Sequence, residues 1–203
     1  MPGPDFFRQF GLFILPDFLS PESSRELLQA VASSPVEKAT IIRSTGEVCL
    51  DETFRRVESS VIPKAIRRSL KERFAGLIPE LEKHFGMPLG GCESPQCLIY
   101  NPGNFFKPHS DGSGESADFA RKRRVSIVVF LNRQSPEPAD DAYGEGFLTF
   151  HGLLEGPQWK ACPFPLKAPP GLLVAFPSDR VHEVTPVTHG RRYTLVTWYY
   201  CPD

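Results

Sequence analysis

The chain predicts an α+β fold, a double-sheet jelly roll of about eight strands braced by N-terminal helices, and three observations lead there. Helical spacing of apolar residues is confined to the first 90 residues. After Gly86 the period changes to the alternation of strands, and no long helical pattern returns. The 21 prolines, about twice the usual share of roughly 5%, cluster in the later half, where short strands and frequent turns accommodate them.

Taken in order, Gly11 to Leu15 reads as a short strand, followed by Ser20 as N-cap and Pro21 at the first position of a helix running to about Ala32. Leu27, Leu28 and Val31 form its buried stripe. Residues 36 to 55 hold two β-like runs around Ser44-Thr45-Gly46, then Asp51 to Arg56, which together read as a hairpin or mobile loop. From Pro63 to Phe85, Ile66, Leu70, Phe74, Ile78, Leu81 and Phe85 recur every three or four positions, the signature of an amphipathic helix that Pro79 should kink or divide. Strands are expected at Gln96 to Tyr100, Phe105 to Asp111, Arg124 to Leu131, Phe147 to Phe150, Phe164 to Lys167, Gly171 to Phe176, Arg180 to Val187 and Arg192 to Tyr200. Gly112 to Arg123 and Arg133 to Tyr143 are rich in Gly, Ser, Pro, Asp and Glu and are expected to be exposed and mobile.

Helices first and strands afterwards, in 203 residues, predict a single domain, 1–203, with 1–90 mainly helical support and 91–203 the jelly-roll core. The formal net charge of −1 supplies no global attraction to nucleic acid or anionic membrane, and Arg121 to Arg124 reads as a solvated loop end. Five cysteines, odd in number and scattered, fit neither a zinc site nor a disulfide framework and suggest a reducing compartment. No apolar run is long enough to span a bilayer, so the expectation is a soluble, cytoplasmic protein.

The chemistry concentrates in two stretches. His109 and Asp111 stand two residues apart, so on an extended strand they point to one side about 7 Å apart along the backbone. An imidazole and a carboxylate so placed can grip one metal ion, and His182 offers a third ligand from Val181-His182-Glu183-Val184. Two histidines and one carboxylate on one face of a metal, with the other positions open, suit non-haem Fe(II) oxygen chemistry. His182 is followed by Arg191 and Arg192, of which strand alternation lets only one point inward.

Tyr100-x-x-Gly103-x-x-Phe106-x-x-His109-x-Asp111, the run Arg124 to Asn132 ending in Phe-Leu-Asn, Gly146-x-Leu148-x-Phe150, His182 to Val187 and Gly190 to Trp198 together resemble the Fe(II)/2-oxoglutarate-dependent dioxygenases, in the prolyl 4-hydroxylase-like branch of oxygen-sensing and bacterial type. Phe18 to Glu22 before a helix is similar to the start of that family's domain, a double-stranded β-helix. The resemblance implies that His109, Asp111 and His182 hold the iron. It further implies that Arg192 binds the distal carboxylate of 2-oxoglutarate, assisted by Thr194, which shares its strand face. A guanidinium suits that task because its planar fork meets a carboxylate bidentately and stays charged. Tyr100 matches a tyrosine near the cosubstrate, and is equally readable as a half-buried strand residue. Phe130 stands where the family often has a tyrosine beside the distal carboxylate, so that hydroxyl is missing here or is replaced by the one on Thr194. Phe130 and Trp198 are carried as pocket residues, while His151 and His189 read as surface or turn residues.

By resemblance the protein is an enzyme that uses Fe(II), 2-oxoglutarate and O2, with ascorbate as a supporting reductant. It would hydroxylate its substrate while converting 2-oxoglutarate to succinate and CO2. Asp111 favours hydroxylation, since related halogenases lack that carboxylate. The segment His182 to Trp198 is similar to prolyl hydroxylases that use Arg for the cosubstrate, which makes a prolyl residue in a protein or peptide the expected substrate. The alternative on the same scaffold is a free amino acid or other small metabolite. Nucleic-acid demethylation is disfavoured, because that branch has a second arginine where Trp198 stands. A non-catalytic jelly-roll binding module is the alternative of another class; it would need neither the triad nor the arginine. By family analogy, residues 36 to 56, 112 to 123 and 133 to 143 are expected to form the pocket mouth.

Overall fold

A computed structural model describes residues 3–42, 47–112, 118–154 and 162–202. The Ser44-Thr45-Gly46 turn lies outside the described residues, as does the first half of the connection after Gly112. The N-terminal part comprises α1 (Pro4–Arg8), β1 (Phe13–Leu15), α2 (Pro21–Ala32), β2 (Val36–Lys38), β3 (Ile41–Ile42), β4 (Val48–Cys49), β5 (Arg55–Arg56), β6 (Glu58–Ser60), α3 (Lys64–Gly76) and α4 (Ile78–Phe85). The remainder comprises β7 (Gly91–Cys92), β8 (Gln96–Tyr100), β9 (Phe105–His109), α5 (Asp118–Arg121), β10 (Arg123–Phe130), β11 (Arg133–Gln134), β12 (Ala142–Tyr143), β13 (Leu148–Phe150), β14 (Phe164–Leu166), β15 (Leu173–Pro177), β16 (His182–Val184) and β17 (Arg192–Tyr200).

α2, α3 and α4 form where the sequence places them, and for the same physical reasons, whereas the short α1 and α5 have no counterpart in the sequence expectations. Ser20 caps α2, its hydroxyl accepting from the Ser23 amide at 3.1 Å, with Pro21 in the first turn. The long apolar period breaks at Leu77, where Pro79 opens α4 instead of continuing α3, and Gly86 closes α4 in a left-handed conformation that costs glycine little.

Two antiparallel sheets face each other. The major sheet has the order β1-β15-β10-β17-β8-β6-β2, with β7 also paired to β17, and the minor sheet has the order β14-β13-β16-β9-β5. This is the double-stranded β-helix expected from the strand count. The first 60 residues also contribute to both sheets, through β1, β2 and β6 to the major and β5 to the minor.

Strand alternation sorts the core into two layers. On β10, Val125, Ile127 and Val129 pack outward with Leu27, Val31, Leu70, Phe74 and Leu81 of the helices. Val128 and Phe130 pack inward with Phe150 and Phe176. β17 follows the same rule, with Leu195 and Tyr199 against the helices and Val196 and Trp198 in the space between the sheets. That rule sends Arg192 and Thr194 inward. Among the described residues all five cysteines are free thiols, and no helix is long and apolar enough to cross a membrane.

Candidate metal centre

The minor sheet builds one side of the centre. β9 and β16 pair antiparallel with His109 opposite His182, and Asp111 follows two residues beyond β9. The ligand atoms of His109, Asp111 and His182 all lie within 4.8 Å of one another. His109 Nε2 is 3.7 Å from Asp111 Oδ1, and His182 Nε2 is 3.6 Å from Asp111 Oδ2.

Each imidazole is oriented by its other nitrogen. His109 Nδ1 lies 2.8 Å from the Lys107 carbonyl and His182 Nδ1 2.9 Å from the Arg180 carbonyl. A carbonyl only accepts, so Nδ1 carries the proton and the Nε2 lone pair is left toward the centre, the tautomer a metal needs. Phe106 stacks on the His109 ring at 3.5 Å between centroids, and Phe176 meets the His182 ring edge-on at 4.7 Å. Burial first, then the neighbouring His182, push the His109 pKa down to about 3, which keeps it neutral.

Asp111 is held from both sides. Its amide and that of Gly112 donate to the Ser178 carbonyl at 2.8 and 2.9 Å, while the Ser126 hydroxyl donates to Oδ2 at 2.7 Å. A side chain at Gly112 would run into the Arg123 carbonyl and Ser178. Burial acts to raise the carboxyl pKa, but His182, His109 and hydrogen bonds from Trp198 and Ser126 outweigh it and hold Asp111 below the usual carboxylate range. Trp198 therefore does more than line the pocket: its indole reaches the carboxylate, and the Arg123 guanidinium stacks on its ring at 3.7 Å while making bonds of 2.6 and 2.8 Å to Glu93.

The major sheet supplies the other side. Arg192 is 1% exposed, its Nη1 lies 3.3 Å from the Thr194 hydroxyl, and its Nε and Nη2 are buried without partners. Arg191 is exposed. A buried guanidinium with orphaned donors loses more than a hydrogen bond's worth of free energy unless an acceptor arrives. The guanidinium carbon lies 5.0 Å from the Tyr100 ring and 5.3 Å from the Phe130 ring, and the Tyr143 phenol also bonds it. A cavity of about 450 Å³ joins this arginine to the triad; Tyr100, Thr194 and Trp198 line it. Phe130 does not, lying behind the guanidinium as packing. Tyr143 gives no signal in the sequence, where a tyrosine in a Pro- and Asp-rich connection carries no period. Its phenol neighbours the Arg192 guanidinium from the side away from the cavity, so it does not stand where the missing Phe130 hydroxyl would.

Of the three segments expected at the mouth, 37 to 41 with Phe54 and Arg55, and Ala120 with Arg123, line the cavity, whereas 133 to 143 does not. There β11 and β12 pair in parallel and put Tyr143 behind Arg192. His151 bonds Glu183 at 3.0 Å and His189 sits in a turn beside Thr188, both away from the triad.

The model of the 2OG-Fe(II) oxygenase superfamily matches residues 95–200, which include the triad and Arg192. The chain belongs to the 2OG-Fe(II) oxygenase superfamily. A PKHD-type hydroxylase of Paracoccus denitrificans is 27% identical to this oxygenase over 92% of its length and 77% of the relative's. In fold, the oxygenase is similar to a Pseudomonas putida prolyl-4-hydroxylase (TM-score 0.68, 21% identity, 98% of this chain and 97% of that one). It is also similar to a Trichoplax adhaerens prolyl hydroxylase solved with a hypoxia inducible factor peptide fragment (TM-score 0.70, 16% identity, 97% and 86%). Membership makes it an enzyme with Fe(II), 2-oxoglutarate and O2 as its cofactor and cosubstrates. The two Nε2 atoms turned toward the centre and the Asp111 carboxylate fit a ferrous ion, and the orphaned Arg192 donors fit a dicarboxylate.

Proposed function

We propose that this oxygenase hydroxylates a prolyl residue in a protein or peptide. His109, Asp111 and His182 hold the iron in this reading, and Arg192 binds the distal carboxylate of 2-oxoglutarate. The observation that carries it is the buried Arg192 fork, with two unpartnered nitrogens, joined by one cavity to the converging triad. When bound there, iron with 2-oxoglutarate and O2 would supply oxidative decarboxylation to succinate and CO2 coupled to hydroxylation of the substrate. The protein's residues orient and exclude. Nδ1 bonds fix both imidazoles, Ser126 and Trp198 fix the carboxylate, and Thr194 with Tyr143 fix the guanidinium. Tyr100 is 2% exposed; burial raises its pKa, so its phenol stays a donor at the cosubstrate's flank.

The prolyl substrate is supported by the relatives, prolyl hydroxylases among them, one solved with a peptide. Single-domain organisation, 1–203 with a core at 91–203, is supported by the strands that the first 60 residues insert into both sheets. Incubating peptides of a host lysate with the enzyme, Fe(II) and 2-oxoglutarate should give a gain of one oxygen on prolyl residues. Oxygen gained only by free amino acids or metabolites would move the reading to the small-molecule alternative.

A further inference from the structure

A second arginine repeats the signature of Arg192 on the other side of the triad. β5 pairs with β9 so that Arg55 lies opposite Phe106. Alternation turns Arg55 toward the cavity, which it lines, and leaves Arg56 exposed. The Arg55 guanidinium lies 4.7 Å over the Phe106 ring, and Phe106 in turn stacks on His109, so cation, ring and metal ligand form one column. Nη1 donates to the Thr40 carbonyl at 2.7 Å, and Nε is buried without a partner. Burial lowers the Arg55 pKa, opposed by Tyr100 and Asp111, yet an arginine remains charged under any working condition.

Two other cations on this cavity, Lys38 and Arg123, each have a carboxylate partner. Arg123 pairs with Glu93, and Lys38 pairs with Glu52 at 3.1 Å. Glu37, also on the cavity, is exposed on β2 and is not among the described ion pairs of Arg55. A ferrous ion, the cosubstrate dianion, Asp111 and Arg192 sum to neutrality. Among the described residues, Arg55 is then the lining cation in no ion pair, and its Nε is a donor still without an acceptor, which a carboxylate would supply.

We propose that Arg55 is the residue that binds a carboxylate of the oxidised substrate. This rests on the oxygenase reading above and narrows its substrate class to acid-bearing molecules. The carboxylate is either the α-carboxylate of the oxidised residue or the side chain of an acidic residue beside it. Thr40 and Phe106 hold the guanidinium at the cavity wall, and the Phe106 stack on His109 keeps it on the triad's side of the cavity.

The test measures binding, separately from turnover. Protein loaded with Mn(II) and saturated with N-oxalylglycine, which fills the Arg192 subsite, is titrated with matched acid and neutral probes. The pairs are N-acetyl-L-proline and its amide, N-acetyl-L-alanine and its amide, and the capped dipeptides acetyl-Glu-Pro-amide and acetyl-Gln-Pro-amide. At least one acid should bind about tenfold more tightly than its neutral partner, with the preference abolished in Arg55→Gln and partly kept in Arg55→Lys. Preference confined to the α-acids identifies an α-carboxylate; preference confined to the Glu probe identifies a flanking acidic residue. Equal binding of acid and neutral probes in all pairs overturns the proposal. So does an acid preference that survives Arg55→Gln, or an equal loss of N-oxalylglycine affinity in that variant, which would place the effect at the cosubstrate. Proline and alanine probes binding alike would count against the prolyl reading and leave Arg55's role standing.

Discussion

At the scale of single residues, the centre depends on atoms that have one orientation and one open valence. Ser126 illustrates this: its hydroxyl donates to Asp111 Oδ2 and lies 3.0 Å from the Ser178 hydroxyl, so it fixes a carboxylate without touching the cavity's reacting centre. Ser126→Ala should weaken metal affinity by roughly tenfold, read by competition titration with Co(II). The two adjacent arginines separate by the same logic. Arg192→Met removes the fork and should raise the KM for 2-oxoglutarate by roughly 100-fold, whereas exposed Arg191→Met should leave it within about twofold. A larger effect at Arg191 would exchange their roles. The triad and Arg192 are legible in the sequence because each sits in or beside a strand with a strict period. Arg55 and Tyr143 are not, because each comes from a short irregular connection. Their value appears only when β5 meets β9 and when β12 passes behind β17's first residue.

At the scale of elements, β17 carries the most candidate site residues. Its inner face carries Arg192, Thr194 and Trp198, and its outer face anchors α3 through the Tyr199 hydroxyl, which donates to the Phe74 carbonyl at 2.6 Å. The expected boundaries of β8 and β17, Gln96 to Tyr100 and Arg192 to Tyr200, match the observed ones, both being runs with β-branched and aromatic residues in central positions of the major sheet. β16 is shorter than its expected span of Arg180 to Val187, running only from His182 to Val184. Its pairing with β9 shifts register between those two residues, which limits the ladder. The turn into β17 depends on Gly190, at φ +67°, where an added Cβ would strike the Ala142 carbonyl. Gly190→Ala should therefore cost about 1–3 kcal/mol in urea unfolding. It should also raise the KM for 2-oxoglutarate, because Arg192 lies two residues on.

At the scale of the molecule, two sheets that close on a polar interior must keep that interior neutral or paired, and pH exposes the cost. His109 resists protonation in the fold until about 3, whereas the unfolded chain takes up its proton near 6.5. Between those values the unfolded state binds more protons, so metal-free stability falls as pH is lowered through the window. His84, held low by burial and then by Arg8, adds a slope of the same sign. The melting temperature of the metal-free protein should drop from about pH 6.5 downward, and His109→Asn should flatten part of that fall. The central claim is that the triad and Arg192 form one oxygenase centre, and succinate release from 2-oxoglutarate, measured without added substrate after anaerobic reconstitution with Fe(II), tests it most directly. Wild-type protein should bind iron and release succinate, and His109→Ala, Asp111→Ala and His182→Ala should each abolish that release. Full retention of succinate release in any of the three would contradict the account.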